Sequence, residues 1–394
     1  MLSVNAVSCE EDGAIKHVAI LIETSRAYGR GLIRGIARYN AEQGQWSTYF
    51  QPQGLGDPPP PWLAKWHGDG IIARIDNRRL AGAVAQSGRP VVNLRGTLTD
   101  VSFPFIGSDN EAIARMGAEH LLERGFRQFA FCGFPRGYHP GLDRRGDCFQ
   151  CFIEKAGYSC EVLETPLRKR TPSWEQEQAR LARWIGRLPK PVAIMTANDD
   201  RGLQVLDACR RIGATVPDEV AVLGVDNDEY LCGLSLPPMS SINVDSEKTG
   251  YQAAALLDRM MKGKRPPNRL AEMPPIGVVA RRSTDVLATD DRDVIRAVQY
   301  IRKNACLSIQ VPDILLHVSM SRAALEPRFR NVLGRTLHQE IQRVRIEKAK
   351  LLLAETDLPI KQIAIQSGFK NVQYFTRVFS ATVTESPGVY RSNR

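Results

Sequence analysis

Long hydrophobic runs are missing from this chain. A membrane-spanning helix needs about eighteen or more consecutive apolar residues, and the 394-residue sequence contains no such stretch. A secretory leader is missing as well, because MLSVNAVSCEEDGAIKH is too polar and too acidic for one. Both absences lead to the expectation of a soluble, cytoplasmic protein with no membrane partner. Close cysteine pairs are scarce: the 8 cysteines (Cys9, Cys132, Cys148, Cys151, Cys160, Cys209, Cys232, Cys306) are scattered, which disfavours a disulfide framework and suits a reducing compartment. Only Cys148 and Cys151 lie near each other. Zinc takes about four ligands, and no second pair or His-x-x-x-His completes the set, so two ordinary helix residues are expected there. The 6 histidines (His17, His67, His120, His139, His317, His338) are isolated. No G-x-S-x-G elbow, phosphate-binding Walker loop, G-x-G-x-x-G after a strand or H-E-x-x-H is found. The expectation is a protein that is not an enzyme and needs no metal or organic cofactor.

What is present is globular. A chain that is 43% hydrophobic and 24% charged, at this length, can bury cores for about two or three domains. Its positive charge is unevenly placed. Residues 291–394 carry 17 Lys and Arg against 9 Asp and Glu, and so hold +8 of the total +10. A field concentrated in the last quarter of the chain points to a polyanionic partner.

Two rhythms divide the sequence. From residue 16 to 282, apolar runs HVAILI (17–22), GIIARI (70–75), PVVNL (90–94), QFAFCG (128–133), PVAIMT (191–196) and VAVLGVD (220–226) alternate with helical patterns. This is the βαβ signature of an open parallel sheet, whose ligands sit at the carboxyl ends of the strands. RRSTDVLATDDRD (281–293) is polar and turn-rich, with the linker proper at 283–293, and only helical patterns follow in 294–394. That region repeats itself. Ser321, Leu325 and Phe329 recur fifty positions later as Asn371, Phe375 and Phe379, each set preceded by a short helix opened by Pro312 or Pro359. The pattern is two helix-turn-helix units joined by one longer helix, near 337–354. Such units lay their second helix in the DNA major groove while nearby cations hold phosphates.

Helical-wheel geometry then separates core from groove. Taking Leu325 as buried, Phe329, Val332 and Leu333 fall within about 80° of it, while Pro327 lies about 200° away beside Ala323 and Arg330. In the second unit Gln373 and Arg377 point outward, with side chains suited to paired hydrogen bonds with adenine and guanine. Proline costs about 3 kcal/mol inside a helix, so a bent or frayed helix is expected at Pro327.

LPIKQIAIQSGFKNVQYFTRVFSATVTESPGVYR resembles the second half of the AraC/XylS class of DNA-binding domain, through Ile360, Ile363-Ala364, Gly368-Phe369, Phe375, Arg377, Phe379, Pro387 and Tyr390-Arg391. The resemblance implies base contacts at Ala323, Glu326 and Pro327, and at Val372, Gln373 and Arg377. Ser321 and Asn371 cap the recognition helices, and Arg322, Arg328 and Arg330 are placed for phosphates or the groove edge. Ala323 and Pro327 depart from the usual polar choices, so apolar contact with a thymine methyl is expected of the first unit.

The segments TANDDRGLQVLDACRRIGATVPDEVAVLGVDNDEY and PPMSSINVDSEKTGYQAAALLDRMMKGK resemble the sugar-binding domain of LacI-type regulators and periplasmic binding proteins. The expected architecture is an α/β two-lobed periplasmic-binding-protein-like domain (16–282), after a short tail (1–15), followed by an all-α domain with two helix-turn-helix units. That domain order is similar to pentose-operon regulators of the AraC/XylS class. It implies a homodimer on a double-stranded DNA operator, a monosaccharide effector with xylose the leading candidate, and activation of catabolic genes. Sugar closing two lobes would alter the dimer's grip on DNA. Sugar hydroxyls call for fixed donors and acceptors beside an aromatic surface, and the strand-end loops offer Ser25, Tyr28, Arg30, Arg74, Asp76, Asn198, Asp199 and Asp226. Arg145 falls on an arginine of the LacI-type pattern, and Arg74 stands where the pentose-regulator pattern has an acidic residue. Each candidate has a plainer reading: Asn198 as a helix cap, Asp199 as a first-turn charge, the others as surface pairs. The rivals are a solute receptor, which leaves the basic repeat unexplained, and a carbohydrate enzyme on a DNA-binding tail, built on clustered carboxylates such as Asp199-Asp200.

Overall fold

The computed structural model describes residues 15–392 except 45, 53, 55–56, 99, 164–171, 267–270, 286–288, 290 and 308. The expected tail up to residue 14, Cys9 within it, and the centre of the expected linker lie outside the described residues. The chain forms two compact units: one holds residues up to Gly107 together with Ser246–Glu272, the other Ser108–Asp245 together with everything from Met273 onward.

The first unit runs β1 (His17–Leu21), α1 (Ala27–Tyr39), β2 (Ser47–Phe50), β3 (Gly70–Ala73), α2 (Arg78–Gln86) and β4 (Val91–Asn93). Its parallel sheet has the order β2-β1-β3-β4. β5 (Ile106–Ser108) leads on to α3 (Asn110–Leu122), β6 (Gln128–Cys132), α4 (Pro140–Lys155), β7 (Cys160–Val162), α5 (Trp174–Arg187), β8 (Val192–Thr196), α6 (Asp199–Arg211), β9 (Val220–Val225), α7 (Glu229–Leu234) and β10 (Ser240–Val244). The chain then returns to the first unit as α8 (Ser246–Met261), and β11 (Ala271–Met273) and β12 (Pro275–Val279) follow. The second sheet has the order β12-β10-β9-β8-β6-β7, with β12 antiparallel to β10 and the other pairs parallel.

All six expected strands are present, and β1, β3, β8 and β9 are buried along most of their length because helices cover both faces. In the first unit α1 and α8 touch backbone to backbone. A Cβ on Gly35 would lie 1.8 Å from the carbonyl oxygen of Glu247, and one on Gly250 would lie 2.0 Å from that of Leu32.

The helical end comprises α9 (Arg292–Asn304), α10 (Val311–Val318), α11 (Arg322–Leu333), α12 (Leu337–Glu355), α13 (Ile360–Gln366), α14 (Val372–Val383) and α15 (Pro387–Ser392). Each helix-turn-helix has its own core: Ile314, Val318, Leu325 and Phe329 with α9 in the first, and Ile363, Phe369, Phe375 and Phe379 in the second. The start and end of α12 are shared between the two cores, through Leu337 and Ile341 on one side and Ile346 and Leu353 on the other. Half of one expectation fails here, the fraying. α11 is helical at every residue from Arg322 to Leu333, with Pro327 inside it, so the helix is not frayed at its start. Ser321 accepts a hydrogen bond from the amide of Ala324 and holds that start in place.

The linker is also corrected in part. Ser283 and Thr284 are fully buried. The Ser283 hydroxyl donates to the carbonyl of Val222 and accepts from the amide of Ser240, while the Thr284 hydroxyl donates to Ser240 Oγ. Short hydroxyl side chains satisfy one another and the sheet, so a polar stretch is buried at no hydrogen-bond loss. Beside it, His120 and Arg124 are buried, with Arg124 Nε donating to the Thr284 carbonyl. Burial, followed by the charge of Arg124, holds His120 well below the usual imidazole range. Next to this lies Glu340 of α12, hydrogen-bonded to Arg335 and Arg343, and Arg343 reaches Glu123 at 2.8 Å.

Candidate nucleic-acid interface and ligand loops

The two recognition helices present different surfaces. On α14, Phe375 and Phe379 are buried while Gln373 and Arg377 are exposed. A helix that buries one stripe must turn the residues near 180° from it to solvent. Asn371 caps this helix by accepting from the amide of Tyr374, and Val372 is half-buried against the local core. The guanidinium of Arg377 sits 5.3 Å from the ring centre of Tyr374, and the hydroxyl of Tyr374 is bonded to Gln342 on α12. The outward arginine is therefore steadied by an aromatic face that α12 itself holds.

On α11 the positions fifty residues earlier are Ala323 and Pro327, both exposed. With Arg322, Glu326, Arg330 and Asn331 they line a concavity of about 700 Å³. Glu326 is hydrogen-bonded within the domain. One carboxylate oxygen takes Arg322 Nε at 2.8 Å, and the other accepts from the amide of Leu337 at the start of α12. Arg328 forms two hydrogen bonds to Asp291 and one to Asp293, and so ties α11 to the capped start of α9. Each of these two side chains thus finds a partner of opposite charge within its own fold. Asn331 was missed by sequence reading, which followed only the outward face near the helix start.

The sugar candidates gather at the carboxyl ends of strands in each unit. In the first unit, Ser25, Tyr28 and Arg30 follow β1, and Arg74 and Asp76 follow β3. Arg30 donates to the carbonyl of Thr24, and Asp76 accepts from Asn77 at 2.6 Å. Arg74 forms an ion pair with Glu23 and lies 5.0 Å from the ring centre of Tyr28. Glu23, only 4% exposed, was not foreseen, although a carboxylate closing the apolar run HVAILIE was a visible signal.

In the second unit, Asn198 caps α6 by accepting from the amide of Arg201, and its amide donates to Asp200. Asp199 is 2% exposed and fully occupied: it accepts from Ser241 Oγ at 2.6 Å and from the amide of Asp228 at 2.7 Å. Burial, then the nearby Asp226 carboxylate, push it well above the ordinary carboxylate range. The plainer reading of Asn198, a helix cap, describes its contacts, while Asp199 holds the loop after β9 through the amide of Asp228. In that loop Asp226 has φ 110° and Asn227 φ 51°. A left-handed backbone at non-glycine residues is strained and concentrates at functional sites. Arg145 is buried on α4, donating to Asn110 Oδ1 and to the carbonyl of Ala197. Among the described residues no group of three or more His, Cys, Asp or Glu could hold a metal ion, and Cys148 and Cys151 lie on α4.

Three regions match family descriptions: residues 17–111 an XylR N-terminal domain, 118–284 a periplasmic binding protein-like domain, and 316–393 a helix-turn-helix domain. The chain is 33% identical over 383 residues to the xylose operon regulatory protein of Haemophilus influenzae, covering 95% of this chain and 98% of that one. The chain belongs to the xylose operon regulatory protein family. The Escherichia coli K12 member is 32% identical over 95% of this chain and 96% of its own length. A solved structure described as the xylose-binding transcription activator xylR aligns with TM-score 0.63 and 31% identity, over 96% of this chain and 98% of the other. Membership in the xylose operon regulatory protein family makes this chain a helix-turn-helix, sugar-responsive transcription regulator of the AraC/XylS class. Its family members are regulators and not enzymes, and among the described residues no helix is long and apolar enough to cross a membrane.

Proposed function

We propose that this protein activates pentose catabolic genes from the cytoplasm, as a homodimer on double-stranded operator DNA, with xylose its effector and no catalytic turnover or cofactor of its own. The observation that carries the DNA half is the exposed pair Gln373 and Arg377, four residues apart on the face of α14 opposite its aromatic core. Their donors fit adenine and guanine edges in the major groove. Ala323 and Pro327 contact a thymine methyl from the equivalent face of α11, Arg322 and Arg330 reach phosphates, and Ser321 and Asn371 present the two capped helix starts to the backbone.

Arg377→Ala should weaken specific binding about 5- to 150-fold, the equivalent of about 1–3 kcal/mol for one bidentate contact. It should also relax the preference at one base pair. The measurement is fluorescence anisotropy on duplexes selected from a random library with the wild-type protein. Unchanged affinity and preference would remove Arg377 from base reading.

For the effector, Tyr28, Arg30, Arg74 and Asp76 in the first unit and Arg145 and Asp226 in the second are the proposed sugar contacts, with Ser25 at the rim. Saturating xylose, at about 100 times Kd, should stabilise the protein by about 2.7 kcal/mol. Asp226→Ala should abolish the resulting rise in melting temperature. A thermal-shift screen in which no monosaccharide acts and a non-sugar does would defeat the reading. The homodimer is supported by Tyr230, Leu234 and Leu236, which are 74%, 83% and 80% exposed on and just after α7. Apolar side chains this exposed and this close together mark a surface that another chain covers, and sedimentation of the full chain tests it.

A further inference from the structure

Arg377 faces outward with no carboxylate to hold it. On α11, Arg322 is engaged by Glu326, and Arg328 by Asp291 and Asp293, whereas among the described residues Arg377 has no hydrogen bond or ion pair and has the ring of Tyr374 beside it. A long side chain that wanders in the free protein must give up that freedom when it meets a base, and the cost is taken from affinity. A ring under a guanidinium orders it beforehand.

The ring itself is fixed at three points. The Tyr374 amide donates to the Asn371 cap at 3.0 Å, the ring lies 6.2 Å from that of the buried Phe369, and the hydroxyl accepts from Gln342 Nε2 at 2.6 Å. Only the third point lies outside α14 and the turn before it.

Gln342 belongs to α12, between Ile341 of the first core and Ile346 of the second. Its amide nitrogen also lies 3.0 Å from Nε2 of His338, one turn earlier. A carboxamide nitrogen carries two protons, so one group serves both neighbours. We infer that Gln342 is a positioning residue for base reading by α14: without meeting a base, it holds the Tyr374 hydroxyl, fixes the plane on which the Arg377 guanidinium rests, and so sets the discrimination at that arginine's base pair. The helix shared by the two units then has a part in specificity as well as in packing.

This inference rests on the reading of Arg377 as a base contact, and the experiment separates the two. Fluorescence anisotropy on the full chain compares the selected duplex with one changed at the base pair where Arg377→Ala relaxes preference. The readout is the ratio of the two affinities, which does not depend on the fraction of protein that is folded. Gln342→Leu, of similar volume, and Tyr374→Phe, which keeps the ring, should each lower that ratio about 2- to 10-fold, the scale of ordering one side chain. Ratios at other base pairs should stay as they are. The double variant should lose no more than either single one, because both cut the same link. With Arg377→Ala present, neither change should move the ratio further. An unchanged ratio in Gln342→Leu overturns the inference, while the loss in Arg377→Ala leaves base reading standing. Affinity that falls equally on both duplexes overturns it too, being the mark of a merely structural residue. Losses in Gln342→Leu and Tyr374→Phe that add in full do the same, since Gln342 would then act without the ring. An Arg377→Ala protein with unchanged preference overturns both readings.

Discussion

Glu340→Ala is expected to destabilise the protein by about 3–5 kcal/mol, the cost of leaving buried partner charges uncompensated. The carboxylate is fully buried, yet it takes Arg335 at 2.6 Å and Arg343 at 2.8 and 2.9 Å. Without it, Arg335 is left with the carbonyls of Leu333 and Glu123, and Arg343 with the Glu123 carboxylate and the charge of Glu347, beside the buried Arg124. Chemical denaturation of the full chain provides the measurement, and a loss below about 1 kcal/mol would mean that water replaces the carboxylate. The same group predicts a pH dependence. Burial raises the Glu340 pKa, but the hydrogen bonds and charge of Arg343, with Arg335, outweigh it and leave the pKa at about 2. A carboxyl whose pKa is lower folded than unfolded binds protons preferentially in the unfolded chain. Its contribution is therefore complete above the unfolded value of about 4.3 and disappears as pH falls toward 2. Wild-type stability should drop through that window, and the Glu340→Ala protein should drop less.

Gly35→Val is expected to cost about 3 kcal/mol, at the upper end of overpacking effects. The reason is the obstacle. A Cβ at residue 35 meets the Glu247 carbonyl oxygen at 1.8 Å and the Tyr251 amide nitrogen at 2.7 Å, both backbone atoms of α8. Side chains can turn aside, but a helix backbone cannot, so α1 and α8 must part along their length. Arg38–Glu247, at 2.9 Å, and the edge contact of Tyr39 with Tyr251, at 5.2 Å between ring centres, lie on the same seam and would loosen with it. Gly82→Ala is the control. It lies in α2 with nothing near its Cβ position, and should stabilise by about 0.5–1 kcal/mol through helix propensity. A thermal melt of the full chain compares the two, and equal effects would refute the close-contact account.

The strands that could be read from sequence were those buried on both faces, because only they combine an apolar run with flanking helical periodicity. β2, STYF, is exposed throughout at a sheet edge, and β10, SSINV, opens with two serines whose hydroxyls are satisfied within the fold. Neither carries an apolar signature. The recognition helices were legible because caps, core spacing and outward positions repeat at a fixed interval. The intradomain partners of Glu326 and Arg328 were not, since an outward angle on a wheel says nothing of the carboxylates and amides that α9 and α12 bring to meet them. Similarly, Asn198 and Asp199 looked like ligand groups in a strand-end loop. Their oxygens are consumed by the N-terminus of α6, the amide of Asp228 and the hydroxyl of Ser241, partners that only tertiary structure supplies.

The segment entering the helical end is anchored as well as polar. Asn227, in the strained loop after β9, accepts from Arg281 at 2.8 Å, and the carbonyl of Arg281 accepts from Ser240 Oγ, which in turn meets Thr284. Thr284 adjoins His120 and Arg124, and Asp285 pairs with Arg302 on α9. A loose tether would let the DNA-reading helices wander through a volume set by its length, diluting their local concentration and averaging away any message from the loop. This hydrogen-bonded seam is an axle instead of a leash: contacts continue from Asn227 through Arg281, Ser240 and Thr284 to the Asp285–Arg302 pair at α9, with little slack between them.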